Sequence, residues 1–273
     1  MDVPPAEAAS KLDVRCYFVR KRNALAVRAN FSGMFMDYYL HLLQIGEKHA
    51  PDIDAMLKDA LVAITLHCAS RPWNERHAWT VNFQEPLANF FVTADNNSSC
   101  VIGRVFTEGV RQAERNVFYA QAQKGKGEPG MSAIEIDGTN FLRATEQFYQ
   151  RSEQRVARFF EHSEEDYIFI TAQPQCDVEW LEGLTRESIL QLDKEEELSL
   201  LEERTYHWEC GCTIERIYQV LSPHVRQSME ELFEGDEFLK VTCPRCGMVH
   251  RVHREQFEAW LEDSKNPATG GGG

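Results

Sequence analysis

The feature that most constrains this chain is two close pairs of cysteines in its last quarter. Cys210 and Cys212 form the first pair, and Cys243 and Cys246 follow after a gap of thirty residues. Four thiolates at this spacing are the ligand set of closed, tetrahedral zinc sites. We therefore predict that these four cysteines hold one zinc ion per chain, with Gly247 allowing a tight turn after the second pair.

Two alternatives to a zinc site stay open on spacing alone. Four ordinary buried cysteines would give the same pattern, and a Cys-x-x-Cys sequence also occurs in thioredoxin-like redox pairs. The redox pair needs a strand before it and a long helix after it, whereas residues 249–253 have the composition of a strand. The pattern favours zinc over both alternatives.

The charge of the chain limits its partners. Forty-three acidic residues against twenty-nine basic ones give a formal net charge of -14. Such a charge repels nucleic acids and anionic membrane surfaces at long range. We therefore expect neither a nucleic acid nor a membrane as a partner.

The sequence predicts a cytoplasmic protein. No run approaches the roughly eighteen apolar residues of a membrane span, and the N-terminus lacks the basic start and apolar stretch of a signal peptide. Cytosolic cysteines normally stay reduced, so clustered thiols indicate metal binding or redox sensing. Cys16, Cys68, Cys100 and Cys176 are scattered among apolar neighbours, and we expect them to be buried.

Residues 1–176 are predicted to form an α+β domain in which helices pack against an antiparallel sheet. Residues 51–68 have helical periodicity, and His67 lies beside the buried face of that helix, where a satisfied core histidine is expected. Short alternating runs between residues 76 and 136 predict an antiparallel meander. Residues 1–12 offer little to pack and are expected to be a disordered leader.

Residues 177–209 form an acidic, leucine-rich segment that we expect to be a partly helical linker. From residue 179 onward it carries ten acidic and three basic residues, interleaved with large aliphatic side chains. Repulsion between its acidic side chains, combined with its many leucines, predicts that this segment is ordered only when it packs against another surface. It is either a solvated amphipathic helix that joins two domains or a conditionally folded cover for an apolar surface.

Residues 210–262 are predicted to be a small zinc-binding domain, followed by a disordered tail at 263–273. Helices are expected at 214–221 and 225–233, and a closing helix contains Phe257. The hydrophobic core of a domain of this size is too small to stabilise the fold without an additional cross-link, such as a bound metal ion. Zinc sites in such peptides contribute on the order of 10–16 kcal/mol of apparent binding free energy.

The motifs together resemble one known family, the redox-regulated heat-shock protein 33 chaperones. A Cys-x-Cys pair opens the last module and is followed by Thr-Ile-Glu-Arg, and a Cys-x-x-Cys pair closes it. Ser152-Glu153-Gln154 follows an aromatic residue and precedes a strand, as in the family. The order and spacing of these motifs agree along nearly the whole chain.

The resemblance implies an ATP-independent chaperone, a holdase, with residues 1–176 as its substrate-binding domain. Zinc would be bound in the reduced resting state, and oxidation would form the disulfides Cys210–Cys212 and Cys243–Cys246. The linker would then unfold, and the exposed surface would bind unfolding client proteins. Active family members dimerise, so a homodimer of the oxidised form is expected.

We expect client contacts on two apolar regions. One is the sheet face that carries Trp79, Val81 and Phe83, and the other includes the linker residues Leu198 and Leu201. A rival hypothesis is a protein-interaction adaptor with a permanent structural zinc site and no redox switch. An enzyme is not expected, because the chain has no nucleotide fingerprint, no nucleophile elbow and no His-Glu-x-x-His pair.

Overall fold

The computed structural model of the protein describes residues 10–223, 225 and 229–265. The chain divides into two compact units, Met1–Glu209 and Cys210–Gly273. The boundary falls directly before the first cysteine pair. Among the described residues, no helix has both the length and the apolar character needed to cross a membrane.

The first unit contains ten strands and six α-helices among its described residues. Its strands are β1 (Leu12–Val19), β2 (Ala24–Asn30), β3 (Glu75–Gln84), β4 (Leu87–Asp95), β5 (Cys100–Phe106), β6 (Asn116–Lys124), β7 (Gly130–Ile136), β8 (Ala157–Ser163), β9 (Asp166–Ala172) and β10 (Leu198–Trp208). Its helices are α1 (Ser32–Ile45), α2 (Pro51–Ala69), α3 (Phe141–Arg151), α4 (Val178–Glu182), α5 (Arg186–Leu190) and α6 (Leu192–Glu195).

Local sequence signals explain where the long helices begin and end. Gly46 adopts a left-handed conformation with φ 71° and caps α1, which glycine does at no steric cost. Pro51 opens α2 at the first helical position, where its missing N–H has no intrahelical partner to lose. The Asn140 side chain accepts the N–H of Arg143 and caps the start of α3.

The strands form a single sheet in the order β7-β6-β3-β4-β5-β10-β1-β2-β9-β8. Neighbours pair antiparallel, except for β10 and β5, which pair parallel at His207 and Trp208. The predicted sheet is confirmed, but the prediction of a simple meander is wrong for β6, which pairs with β3 instead of β5. Strand β10 pairs with the edge of β5 that faces away from β4, and β6 pairs with the edge of β3 that faces away from β4.

The inner face of the sheet is the face on which α2 and α3 pack. Trp79, Val81 and Phe83 of β3 lie on this face and are fully buried. Gly103 of β5 permits the close approach of α2, because a Cβ there would lie 2.8 Å from Val92 Cγ1 and 2.9 Å from Leu61 Cδ2. The inner face therefore forms the main core of the first unit.

The outer face of β1, β2, β8 and β9 is covered by the short helices α4, α5 and α6. Leu181, Leu184, Ile189 and Leu192 of this segment are buried. They belong to one apolar cluster with strand residues that face the other way from α2. The strand members of the cluster are Val19, Ala24, Ala26, Ile168, Ile170 and Ala172.

The segment 177–209 is therefore partly helical, as expected, and it covers an apolar surface. The alternative of one solvated amphipathic helix is wrong, because three short helices lead into the eleven-residue strand β10. The leucines supply the buried side of α4–α6, and the acidic residues stay at its surface. Whether this cover folds conditionally stays a prediction.

The second unit builds a small core around a hairpin. Its elements are α7 (Ile214–Leu221), α8 (Met229–Phe233), β11 (Phe238–Thr242), β12 (Val249–His253) and α9 (Arg254–Lys265). Strands β11 and β12 pair antiparallel, and the core contains Ile217, Tyr218, Phe233, Val252 and Phe257. The predicted helices at 214–221 and around Phe257 are confirmed, and Met229–Phe233 is helical as predicted, whereas residues 226–228 of the predicted 225–233 helix lie outside the described residues.

The predicted ends need correction. Residues 1–9 and 266–273 lie outside the described residues, but Ser10 donates its N–H to Asp37 Oδ2 at 2.7 Å, and Leu12 is buried in β1. At the other end, α9 continues to Lys265. The prediction of disorder is therefore wrong for residues 10–12 and 263–265, where Ser10 contacts Asp37 and where β1 and α9 extend into the predicted ranges.

His67 is a buried core histidine, as predicted, and it lies in a chain of polar groups. Its Nδ1 is 2.6 Å from the Tyr149 hydroxyl, and its Nε2 is 3.2 Å from His77 Nδ1. His77 Nε2 lies 3.3 Å from a Glu75 carboxylate oxygen. Burial lowers the pKa of His77 to about 4 and that of His67 well below its ordinary value. Both rings are therefore neutral at physiological pH.

We expect His77 to make the first unit acid-labile. Unfolded His77 binds a proton near pH 6.5 and folded His77 only near pH 4, so the free energy of unfolding decreases as the pH falls through this window. At about 1.4 kcal/mol per pH unit, the loss amounts to about 3 kcal/mol. Arg71 and the carboxylates of Glu153 and Asp95 also act on this ring and are unchanged in the test.

The measurement is denaturant unfolding of the wild type and of His77→Gln between pH 4 and pH 7. Glutamine stays neutral, so the variant should lose this part of the pH dependence. His207→Gln, at a half-buried position on β10, serves as the matched control and should retain it. An unchanged pH profile in His77→Gln would assign the acid lability to other groups.

Candidate metal centre

The first cysteine pair lies in the turn that leads into α7. Gly211 stands between the two cysteines with φ +65°, and a Cβ there would lie 2.8 Å from Arg216 Nη1. The Arg216 guanidinium donates a hydrogen bond to the Gly211 carbonyl oxygen at 2.6 Å. Thr213 caps α7 by accepting the N–H of Arg216 at 3.3 Å. The helix start therefore fixes the backbone between Cys210 and Cys212.

The second pair lies at the tip of the hairpin formed by β11 and β12. The N–H of Gly247 donates to the Cys243 carbonyl oxygen at 2.9 Å, and the N–H of Cys243 donates to the Met248 carbonyl oxygen at 2.8 Å. Gly247 has φ +79°, which confirms the predicted tight turn. The backbone N–H of Met248 is also a hydrogen-bond donor to the Cys246 sulfur.

The four sulfur atoms lie within 4.8 Å of one another. Cys210 Sγ is 3.6 Å from Cys243 Sγ, and Cys212 Sγ is 3.5 Å from Cys246 Sγ, so each close contact joins one cysteine of each pair. Four Zn–S bonds of about 2.3 Å in a tetrahedron place the sulfur atoms about 3.8 Å apart. The donor set and its dimensions therefore fit a tetrahedral zinc ion.

The cluster favours one thiolate even before any metal is considered. Hydrogen bonds from the Cys210 thiol, the Met248 N–H and the other two thiols lower the pKa of Cys246 to about 5. Burial, together with the neighbouring Cys246 sulfur, raises the pKa of Cys212 to about 12. Four thiolates at this separation repel one another, and a divalent cation is the group that would neutralise them.

Three further side chains support the cluster. His250 of β12 places Nε2 3.3 Å from Cys212 Sγ, and Arg245 donates to the Cys210 carbonyl oxygen at 3.3 Å. Arg216 holds Gly211 through the hydrogen bond to its carbonyl oxygen. The spacing of the cysteines did not reveal the two arginines, because an arginine next to a cysteine pair has no distinctive pattern in sequence.

The comparison with protein families identifies the chain. The sequence model described as Hsp33 protein matches residues 22–253, most of the chain, and includes both cysteine pairs. The chain belongs to the Hsp33 family. Its resemblance to that family, inferred from the cysteine spacing and the Ser-Glu-Gln motif, is confirmed.

Two relatives of this Hsp33-family chain carry the name 33 kDa chaperonin. The relative from Nitrosococcus oceani is 24% identical over 163 residues, which cover 52% of this chain and 56% of the relative. The relative from Caldanaerobacter subterraneus is 28% identical over 86 residues, which cover 31% of this chain and 29% of the relative. The matches thus span little more than half the length of the first relative and under a third of the second.

The fold of this Hsp33-family chain is shared with a solved structure. The crystal structure of a 33 kDa chaperonin (Heat shock protein 33 homolog) from Thermotoga maritima matches with a TM-score of 0.69 and 12% sequence identity. The match covers 93% of this chain and 99% of that chain. The predicted α+β class is therefore confirmed at the level of the fold.

The predicted client-binding residues lie in three different environments. Trp79, Val81 and Phe83 are fully buried beneath α2 and α3, so they present no surface in this conformation. Leu198 is half-buried against the cluster under α4–α6, whereas Leu201 is 59% exposed. Sequence alternation identified the apolar face of β3 correctly but could not show that helices cover it. A role of these residues in client binding stays a prediction.

The four cysteines outside the cluster divide into two groups. Cys16 and Cys68 are buried, as expected, and burial raises the pKa of each to about 12. Cys100 and Cys176 are only half-buried, because they lie at the start of β5 and in the loop after β9. The two buried thiols are therefore chemically inert near neutral pH.

Proposed function

We propose that this Hsp33-family protein is a redox-regulated, ATP-independent chaperone that binds unfolding proteins after its clustered cysteines are oxidised. The observation that carries the proposal is the cluster of four sulfur atoms within 4.8 Å. The names of the two relatives support the chaperone activity. One zinc ion per chain, a cytoplasmic location and a homodimer of the oxidised form belong to the same proposal.

The chemistry of the switch follows from the thiols. A zinc ion bound by Cys210, Cys212, Cys243 and Cys246 would keep the sulfurs as thiolates, the form that oxidants attack. Two thiolates that form a disulfide lose two electrons, and these electrons, together with two protons from the solvent, convert one hydrogen peroxide molecule into two water molecules. We propose the pairs Cys210–Cys212 and Cys243–Cys246. The disulfide form has no thiolate left to bind a metal, so the second unit would lose the zinc ion that stabilises its fold.

The short helices α4–α6 support the idea of a covered client surface. Together with β10 they form the segment directly before Cys210, and they lie on an apolar area of the sheet. Beneath them, Ala26, Ile168 and Ile170 are buried only as long as the helices stay in place. An uncovered apolar patch of several hundred Å² is typical of a protein-binding surface. We therefore propose this area of the outer face as the client surface.

One observation favours the rival function, a protein-interaction adaptor with a permanent zinc site. Strand β10 separates the cover from the cysteines and is anchored in the sheet. Arg204 of β10 is 5% exposed, its guanidinium donates to Glu202, and it stacks 4.3 Å from the Trp73 ring. A strand held in this way resists transmission of unfolding from the second unit to the cover.

We expect Cys212→Ser to abolish stoichiometric zinc binding. A serine oxygen is not a thiolate ligand, so the tetrahedral site loses one of its four donors. The measurement is the metal content of purified, reduced protein by atomic emission spectroscopy. Cys176→Ser removes a thiol outside the cluster and should retain one zinc per chain. One zinc per chain in Cys212→Ser would overturn the ligand assignment.

Oxidation should switch on the suppression of aggregation. A denatured client protein is diluted into the reduced, zinc-loaded protein or into protein pre-oxidised with hydrogen peroxide. Light scattering reports aggregation, and a chromogenic chelator reports zinc in the same samples. We expect the protein to suppress client aggregation only after oxidation, and we expect this suppression to increase in parallel with the amount of zinc released. Zinc release without gained suppression would favour the adaptor.

Destabilising the short helices α4–α6, which cover the apolar cluster, should activate the suppression of aggregation without any oxidation. Leu181→Ser with Ile189→Ser removes two fully buried anchors of α4 and α5, which costs several kcal/mol of packing. We expect this double variant to suppress aggregation while reduced and zinc-loaded. Leu190→Ser, at a 44% exposed position in the same helix, is the matched control and should stay inactive when reduced.

A further comparison separates exposure of the client surface from general unfolding. Far-UV circular dichroism should show that the sheet of the double variant is retained. If the double variant keeps its sheet and is no more active than Leu190→Ser, the surface under α4–α6 does not bind clients.

A further inference from the structure

The cover segment, residues 177–197, carries acidic side chains around its apolar anchors. Its buried anchors pack on the outer face of the sheet, and they are Leu181, Leu184, Ile189 and Leu192. The segment contains eight acidic and two basic residues. The surface that we propose for clients is therefore already occupied by an acidic, leucine-rich segment, and the contacts of that segment show which chemistry the surface binds.

One arginine binds both ends of the cover segment. Arg22 lies in the turn between β1 and β2, and its Nη1 donates to Asp177 Oδ2 at 2.7 Å. Its Nε donates to Glu196 Oε1 at 2.9 Å, and the Glu196 side chain is only 8% exposed. The guanidinium also lies 5.4 Å from the centroid of the Trp180 ring. Arg22 thus binds two carboxylates and an aromatic face of the same segment.

Arg22 differs from other arginines of the outer face in the origin of its partners. Arg28 donates to Asp166 Oδ2 of β9 at 2.7 Å, and Arg15 donates to Glu203 Oε1 of β10 at 2.8 Å. The nearest carboxylates of these two arginines therefore belong to the sheet. Among the described residues, both carboxylates that pair with Arg22 belong to the cover segment. Displacement of the cover would leave the Arg22 guanidinium without a carboxylate beside an apolar surface.

A second arginine binds the backbone of the cover segment from β8. Arg158 lies opposite Ile170 of β9 in the register of the two strands. Its guanidinium donates to the carbonyl oxygens of Glu182 at 2.6 Å and Leu184 at 3.3 Å. The last carbonyl groups of a helix lack intrahelical partners, and Glu182 is the last residue of α4. The surface therefore binds side-chain carboxylates at the β1–β2 turn and backbone carbonyls at β8.

We propose that this surface, once uncovered, selects client segments in which apolar side chains are flanked by acidic ones, and that Arg22 determines this selectivity. Such a segment places its aliphatic side chains on Ile168 and Ile170 and a carboxylate on Arg22, as the cover segment does. The inference rests on the proposed chaperone function.

The selectivity opposes the long-range field of the protein. A net charge of -14 repels an acidic segment at a distance. Salt screens this repulsion beyond about 10 Å, whereas two groups at hydrogen-bond distance attract each other with little screening. The contact with Arg22 therefore decides the preference of the bound state.

The test compares two fluorescently labelled peptides that are as long as the cover segment. Both peptides keep its leucines, isoleucine and tryptophan in order. The acidic peptide also keeps its Asp and Glu residues, and the neutral peptide has Asn and Gln in their place. Binding is measured by fluorescence anisotropy with two open forms of the full-length protein: the wild type pre-oxidised with hydrogen peroxide, and the reduced, zinc-loaded double variant Leu181→Ser with Ile189→Ser.

We expect both open forms to bind the acidic peptide about fivefold more tightly than the neutral peptide, as is typical of ion pairs that solvent partly screens. The preference should decrease as the salt concentration rises. Equal affinities, or tighter binding of the neutral peptide, would overturn the proposal.

Arg22→Gln, introduced into both open forms, should abolish the preference for the acidic peptide. Its affinity for the neutral peptide should not fall, because the apolar surface remains. Damage to the fold would instead weaken the binding of both peptides. Arg15→Gln removes the same charge from the same face and is the matched control, which should retain the preference. A full preference for the acidic peptide in Arg22→Gln would also overturn the proposal.

The outcomes distinguish this inference from the proposed function. An Arg22-dependent preference in the reduced double variant, without suppression of aggregation by the oxidised wild type, would keep the selective surface and reject the redox switch. Suppression after oxidation with equal affinities for both peptides would keep the switch and reject the selectivity. If the open forms dimerise, Arg22→Gln dissociates the dimers and neither peptide binds, the cover segment of a second copy is the occupant and the proposal is overturned.

Discussion

The architecture depends on the pairing of strand β10 between β1 and β5. Without β10 the sheet would be two separate sheets, β7-β6-β3-β4-β5 and β1-β2-β9-β8, each with an additional open edge. The register with β1 runs along most of the strand, whereas the parallel pairing with β5 is restricted to its last residues, His207 and Trp208. Along the chain, β10 connects the cover α4–α6 to Cys210. One strand therefore completes the sheet and also separates the two parts that a redox switch would have to couple.

The polar anchors of β10 explain why it can hold this position. The Tyr206 hydroxyl donates to Asn96 Oδ1, and the Asn96 amide donates to the Cys68 carbonyl oxygen at 2.9 Å. Arg204 adds its contacts with Glu202 and Trp73. Buried polar groups that find all their partners select one register, because a shift by one residue would leave them unsatisfied. Polar contacts also hold the α4–α6 segment, because Arg22 donates to Asp177 Oδ2 at 2.7 Å and to Glu196 Oε1 at 2.9 Å. The Arg22 side chain is 34% exposed, against 4% for Arg204, so solvent screens these contacts more strongly than those of β10.

The stability of the second unit depends less on its apolar core and more on its four cysteines. Its core is small, and its two halves meet where four sulfur atoms approach one another. The sulfurs repel one another as thiolates, attract a cation, and become disulfides when electrons are removed. A unit built around such a cluster has its stability tied to the state of the thiols. The large sheet, by contrast, carries an extensive core of its own on the inner face. This difference in the source of stability is consistent with our proposal that the second unit senses oxidants and the first unit binds clients.

The sequence by itself determined that four cysteines form two close pairs suited to a metal, that helices occupy residues 51–68 and 214–221, and that the chain resembles the Hsp33 family. These follow from local signals: the spacing of Cys210, Cys212, Cys243 and Cys246, the 3.6-residue period, and the capping residues. Only the tertiary structure decided that β6 joins β3, that β10 lies inside the sheet, and that Trp79 lies in the core and not on a surface. Strand order and burial depend on which distant segments compete for the same edge or face, and a local pattern carries no information about that competition.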